Sequence, residues 1–345
     1  METKGNGRIK WIDLAKGVGI LFVIIGHSLR DSMQLDNTFC YVLYRFIYNF
    51  HMPFLFILNG ITFSLKIENY KKRTYFNIKK KAKTCLLPWI TYTLIIYAIV
   101  VFITNFISLG SSIEAMNIFT YFEKILYGRN PYAFHLWYLI TLFIIEVIEL
   151  VLLRVLGSFV SRINILLCLA IISFRIILGD VNIWSITAIY RYFVWFCVGL
   201  YILRLFNIVK RKMTFPFWTL SIIYLMIISV VEFQGLAINL KRGVDYLAIF
   251  IFSFGLLFAI QLCENKKSYL IYGLTKIGMK SFVIYLLHQP FFCAFLGGVL
   301  YDILHINIWI TIFICCACSV VMPLCIQRLC HVLPIKKAIN LFLNI

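Results

Sequence analysis

The chain has 345 residues, of which 62% are hydrophobic and only 14% charged. A water-soluble domain carries about 25% charged residues, so these proportions exclude an ordinary aqueous fold and call for lipid as solvent. Lys and Arg number 33 against 14 Asp and Glu, a formal net charge of +19, yet the basic residues fall in short clusters between apolar runs, the pattern of loops beside anionic lipid and not of a nucleic-acid surface.

A helix crosses the hydrocarbon core with about 20 apolar residues. Runs of that kind recur at 11–29, 39–65, 85–107, 134–153, 163–179, 187–206, 216–232, 246–263, 281–303 and 307–328. They predict an all-α polytopic membrane protein of about ten transmembrane helices, a single domain over residues 1–345. The first run carries Asp13, Lys16 and His27, so it reads as a retained span and not as a discarded leader. Basic residues are dense at Lys4, Arg8 and Lys10, through 66–83, at Lys210, Arg211 and Lys212, and at Lys266, Lys267, Lys276 and Lys280. The alternate loops hold few, so both termini are expected in the cytosol. The longest outer loop, 108–134, is expected either to cover an outward-facing site or simply to connect. The 11 cysteines lie mostly in apolar runs. Cys315, Cys316 and Cys318 read as small buried hydrophobes, and no metal site is expected.

Ionisable groups inside a bilayer are costly and mark function. The first run holds Asp13, Lys16 and His27; the second, Arg45 and His51. Arg175 lies in the fifth, Arg191 in the sixth and His288 in the ninth, while His135 and Trp137 open the fourth. Lys16 and His27 are within about 20° of alignment on a helix, with a rise of about 16 Å between them; Asp13 lies within about 40° of the same line. One face of the first helix thus runs from an acid–base pair to an imidazole. That suits a long ligand with an anionic end and a reactive end, a description that acyl-CoA fits. His51 falls at a depth similar to His27. A polar cavity in the outer half is expected to gather these imidazoles with Arg45, His135, Trp137, Arg175, Arg191 and His288.

The same stretches carry a resemblance. Trp11-Ile12-Asp13-Leu14-Ala15-Lys16-Gly17 through Gly26-His27-Ser28 resembles the opening of the membrane-bound acyltransferase-3 family, in which a basic residue, ten others and a His follow in order. Phe50-His51-Met52-Pro53-Phe54-Leu55-Phe56-Ile57-Leu58-Asn59-Gly60 is similar to a second family segment, with Asn59 where Ser is usual. His135-Leu136-Trp137-Tyr138-Leu139 and Ser281-Phe282-Val283-Ile284-Tyr285-Leu286-Leu287-His288 are similar to two more. The nearest branch looks like the fucose 4-O-acetylase-like proteins. Lys16 stands where Arg is commoner, keeping the charge without the bidentate fork. The resemblance implies an O-acyltransferase of a bacterial cytoplasmic membrane, with cytosolic acyl-CoA (acetyl-CoA) as co-substrate, no resident cofactor, and an envelope sugar hydroxyl as acceptor. His27 would be the general base, His51 or an Arg would steady the oxyanion, and Lys16 with Asp13 would hold the CoA phosphates. A transporter of a glycan or anionic solute is the alternative. Transporters often show repeats and paired broken helices, and no repeat is evident in this sequence.

Overall fold

The computed structural model describes residues 9–106, 116–127, 130–178, 184–209, 223 and 238–332. The expected span at 216–232, apart from residue 223, lies outside the described residues. So do Lys4, Arg8, Arg129 and the cluster Lys210, Arg211 and Lys212. All regular structure among the described residues is helical. In chain order the helices are α1 (Lys10–Ser28), α2 (Asp31–Asp36), α3 (Thr38–Ser64), α4 (Ile67–Lys72), α5 (Thr74–Lys81), α6 (Leu87–Phe106), α7 (Ile118–Tyr127), α8 (Trp137–Leu156), α9 (Val160–Leu178), α10 (Trp184–Val209), α11 (Ile238–Cys263), α12 (Tyr269–Met279), α13 (Ser281–Leu287) and α14 (Ile308–Val332).

Among the described residues six helical stretches are long and apolar enough to cross a membrane, or seven if the pair α12 and α13 counts as one broken span bent by 65°. The sequence anticipates about ten. Part of the difference is physical. Helix α8 carries Glu146, Glu149 and Arg154 along its length, and both glutamates are buried in protein, so α8 is not a plain lipid-facing rod. The straight run expected at 281–303 is broken. It consists of α13, then Pro290, then two π-helical turns, Phe291–Phe295 and Gly298–Ile303. Proline removes a donor and clashes with the preceding turn.

The chain divides into two compact units. The first comprises Met1–Leu65, Leu167–Gly179 and Val194–Leu324; the second comprises Lys66–Leu166, Asp180–Phe193 and Cys325–Ile345. In the first unit α1 packs on α12 and α3. Asp13 in its first turn suits the positive end of the helix dipole. Asn37 caps α3 by accepting from the amides of Phe39 and Cys40 at 2.9 and 3.1 Å. Gly17 and Gly278 allow α1 and α12 to touch backbone to backbone: a Cβ at Gly278 would lie 1.7 Å from the Asp13 carbonyl oxygen. Small residues at a crossing permit this approach between membrane helices.

In the second unit the loop expected between 108 and 134 contains a helix, α7, tied back onto α6. The Tyr121 hydroxyl donates to Asn130 Oδ1 at 3.1 Å, and Asn130 Nδ2 donates to Thr93 Oγ1 at 3.3 Å. Asn130 Oδ1 also accepts from the amides of Tyr132 and Ala133, both at 3.0 Å. A buried amide with these partners fixes the chain leading into His135.

Candidate functional site

The first unit places His27 and His51 beside one aromatic side chain, Tyr48, and His288 beside His27. His27 is the penultimate residue of α1. Its Nδ1 lies 3.1 Å from the hydroxyl of Tyr48 on α3. One turn on, His51 meets the Tyr48 ring edge-on with centroids 4.9 Å apart. His288, at the end of α13, brings its ring to 5.4 Å from that of His27. Tyr44 stacks behind Tyr48 at 4.0 Å. Below lies an apolar floor in which Phe50 meets Phe22 at 4.9 Å and Phe252 at 4.5 Å.

Backbone carbonyls fix two of the three tautomers. His51 Nδ1 is 2.7 Å from the Ile47 carbonyl and His288 Nδ1 is 2.7 Å from the Tyr285 carbonyl. A carbonyl only accepts, so each Nδ1 carries the proton. In the neutral ring Nε2 is then an acceptor. His27 is different, because a hydroxyl can donate or accept. If Nδ1–H donates to Tyr48, Nε2 of His27 is left with a lone pair able to take a proton.

The C-terminal end of α1 is clamped to the broken segment after His288. Arg30 forms an ion pair with Asp302 at 2.7 Å and donates to the Ala294 carbonyl at 2.6 Å. Gly297 and Gly298 make room for the guanidinium, which lies 3.4 Å from the Cβ position of Gly298. Ser28 donates to the Ile24 carbonyl and meets Cys293 Sγ at 3.7 Å, and Cys293 lies 3.0 Å from Ser319 Oγ. These contacts hold His27 against His288 although they are far apart in the chain.

At the opposite end of α1, Asp13 is buried and Lys16 half-buried, beside the crossing with α12. Arg45 is half-buried on α3, close enough to Tyr44 to interact with it electrostatically. Arg175 is engaged by an aromatic stack: Nη1 donates to the Tyr246 hydroxyl at 3.1 Å, the guanidinium lies 5.2 Å from that ring, and Trp195 stacks on Tyr246 at 5.5 Å.

His135, Trp137 and Arg191 belong to the second unit. His135 is buried with its ring 6.0 Å from Tyr92. Trp137 stacks on Tyr192, next to Arg191, at 5.1 Å and 30°. This unit also contains a polar core that the sequence reading did not single out. Partly exposed Lys81 forms an ion pair with buried Glu146, and Asn164 donates to both carboxylate oxygens of Glu149, at 3.0 and 3.1 Å. Lys81 also lies 5.8 Å from the Tyr70 ring. Burial pushes the Tyr70 phenol above its ordinary range. Two carboxylates in an apolar run were the available signal. Among the described residues no cluster of His, Cys, Asp and Glu is arranged to hold a metal.

A polytopic helical protein with an ammonium–carboxylate end and an imidazole end on one helix has the layout of a membrane-embedded group-transfer enzyme. The sequence profile of the acyltransferase domain family, acyltransferase-3, matches residues 9–327, and the chain belongs to that family. It is a membrane protein and an acyltransferase. No curated protein and no solved structure matches the chain.

Proposed function

We propose that the chain moves an acyl group, acetyl in the first instance, from cytosolic acyl-CoA to a sugar hydroxyl of the bacterial cell envelope, with His27 as general base. The observation that carries this reading is the contact between His27 Nδ1 and the Tyr48 hydroxyl at 3.1 Å, with His288 alongside. With Nδ1–H donated to Tyr48, Nε2 of His27 accepts the proton of the sugar hydroxyl as its oxygen attacks the thioester carbonyl. Collapse of the tetrahedral intermediate breaks the carbon–sulfur bond, and the proton on His27 leaves with the CoA thiol. Neutral His51 presents only an acceptor, since its Nδ1–H is committed to Ile47. The oxyanion is therefore assigned to Arg45, and His51 to proton relay. Lys16 and Asp13 face the donor. The carbohydrate acceptor is the one expected of the fucose 4-O-acetylase-like branch.

The test uses the purified full chain in lipid vesicles with radiolabelled acetyl-CoA and an envelope-glycan extract. Wild type is expected to transfer base-labile label and His27→Ala to transfer none, while both give the same unfolding temperature. A folded His27→Ala protein with full activity would remove His27 from the chemistry.

A further inference from the structure

Away from the imidazoles, the first unit has a cavity of about 850 Å³ beside the crossing of α1 and α12, within the range typical of small-molecule sites. Four lysines line it, Lys10, Lys266, Lys267 and Lys276, and no Asp or Glu does. Tyr269 and Tyr272 line it as well, 97% and 63% exposed. Lys276 lies 5.3 Å from the Tyr272 ring. Lys10 is held in place by donating to the Glu264 carbonyl at 2.7 Å. The cavity also takes in the first turn of α12, whose free amides add positive potential to that of the lysines.

Four ammonium groups around one hollow repel one another and attract a multiply charged anion. The two phenol rings add what a phosphate alone does not need, flat surfaces on which a base can stack. The position is equally informative. Leu274 and Gly278 of α12 touch α1 at Asp13 and Gly17, in the same stretch of helix as Thr275, Lys276 and Met279, which line the cavity. From Lys16 the helix rises about 16 Å to His27. A ligand with phosphates and a base in this cavity and a slim arm along α1 would bring its far end to the imidazoles.

We propose that this cavity binds the nucleotide end of the acyl donor, the 3′-phosphorylated adenosine diphosphate of CoA, with the lysines on the phosphates and Tyr269 or Tyr272 on the adenine. The proposal rests on the acyl-CoA reading above. It moves the main phosphate contacts from Lys16 to the 266–276 segment. An anionic lipid headgroup shares the phosphate chemistry but has no base to stack, so the exposed rings favour the nucleotide.

The test is isothermal titration of the full chain in phosphatidylcholine nanodiscs with CoA, 3′-dephospho-CoA, pantetheine and 3′,5′-adenosine diphosphate. Wild type is expected to bind CoA and to be competed by 3′,5′-adenosine diphosphate. The double variant Lys266→Gln/Lys267→Gln is expected to weaken CoA binding about tenfold or more, with pantetheine unaffected, and Tyr272→Ala to weaken CoA but not inorganic phosphate. These side chains are exposed, and matching unfolding temperatures confirm that the variants fold. Should wild type bind CoA and transfer acetyl while the double variant matches it in both, the cavity assignment falls and the acyltransferase reading stands. Should phosphatidylglycerol in the discs displace the nucleotide from wild type, the occupant is lipid and the assignment falls. Should wild type bind neither CoA nor 3′,5′-adenosine diphosphate, the cavity assignment and the acyl-CoA reading fall together.

Discussion

Alanine at position 278 is expected to destabilise the protein, and alanine at position 273 on the same helix is not. A Cβ at Gly278 would stand 1.7 Å from the Asp13 carbonyl oxygen and 2.7 Å from the Gly17 nitrogen, against the 3.4 Å at which ordinary contact begins. Both obstacles are backbone, so no side chain can rotate aside, and α1 and α12 must separate along the crossing. Overpacking of this kind costs about 1–3 kcal/mol. Alanine returns roughly 0.5–1 kcal/mol through helix propensity, which leaves a net loss of up to about 2.5 kcal/mol. At Gly273 nothing lies within 4 Å of the added Cβ, so only the propensity gain of roughly 0.5–1 kcal/mol remains. The same substitution, two turns or less away, should therefore change sign. Thermal unfolding in detergent reads this directly. A thiol-reactive dye reports it well, because Cys293 and Cys315 are fully buried in the folded state. Because the crossing borders the lysine-lined cavity, Gly278→Ala should also weaken CoA binding. An unfolding temperature for Gly278→Ala equal to or above that of Gly273→Ala would refute the backbone-contact account of this interface.

Tyr48→Phe removes the hydroxyl 3.1 Å from His27 Nδ1. Losing that hydrogen bond, about 0.5–1.5 kcal/mol, should lower acetyl transfer roughly 2- to 10-fold without unfolding the protein; an unchanged rate would show that Tyr48 does not set the His27 tautomer. Lys81→Met should cost about 3–5 kcal/mol by stranding buried Glu146, and the double variant Lys81→Met/Glu146→Leu should recover most of it, both read as unfolding temperatures. If the double variant is no better than Lys81→Met, the ion pair is not what the second unit loses. Asp302→Asn should change stability by less than about 1 kcal/mol, because the Arg30–Asp302 pair is about one-third exposed on each side.

What was legible in the sequence follows from what apolar runs and spacing can report. The recurrent runs announced helices in lipid, because a chain with 14% charged residues has little else to offer water. The alignment of Lys16 with His27 was legible because both lie on one helix, where the period alone decides direction. His288 could be suspected as an intramembrane imidazole, but its closeness to His27 depends on Arg30 reaching Asp302 and the Ala294 carbonyl, contacts between residues more than 260 positions apart. Tyr48 escaped for a different reason. In an aromatic-rich helix a tyrosine one turn before a histidine is indistinguishable from core until its hydroxyl has a partner. Glu146 and Glu149 carried a signal that was present, two carboxylates in an apolar run. Their meaning, however, came from Lys81 and Asn164, and Lys81 reads in sequence as one more member of a basic cytosolic cluster. The lysines at 266, 267 and 276 were hidden in the same way. A basic loop beside a bilayer satisfies the charge pattern whether it lies flat on lipid or encloses a cavity. The difference is made by Gly17 and Gly278, which bring α12 down onto α1 and leave the hollow next to Lys10.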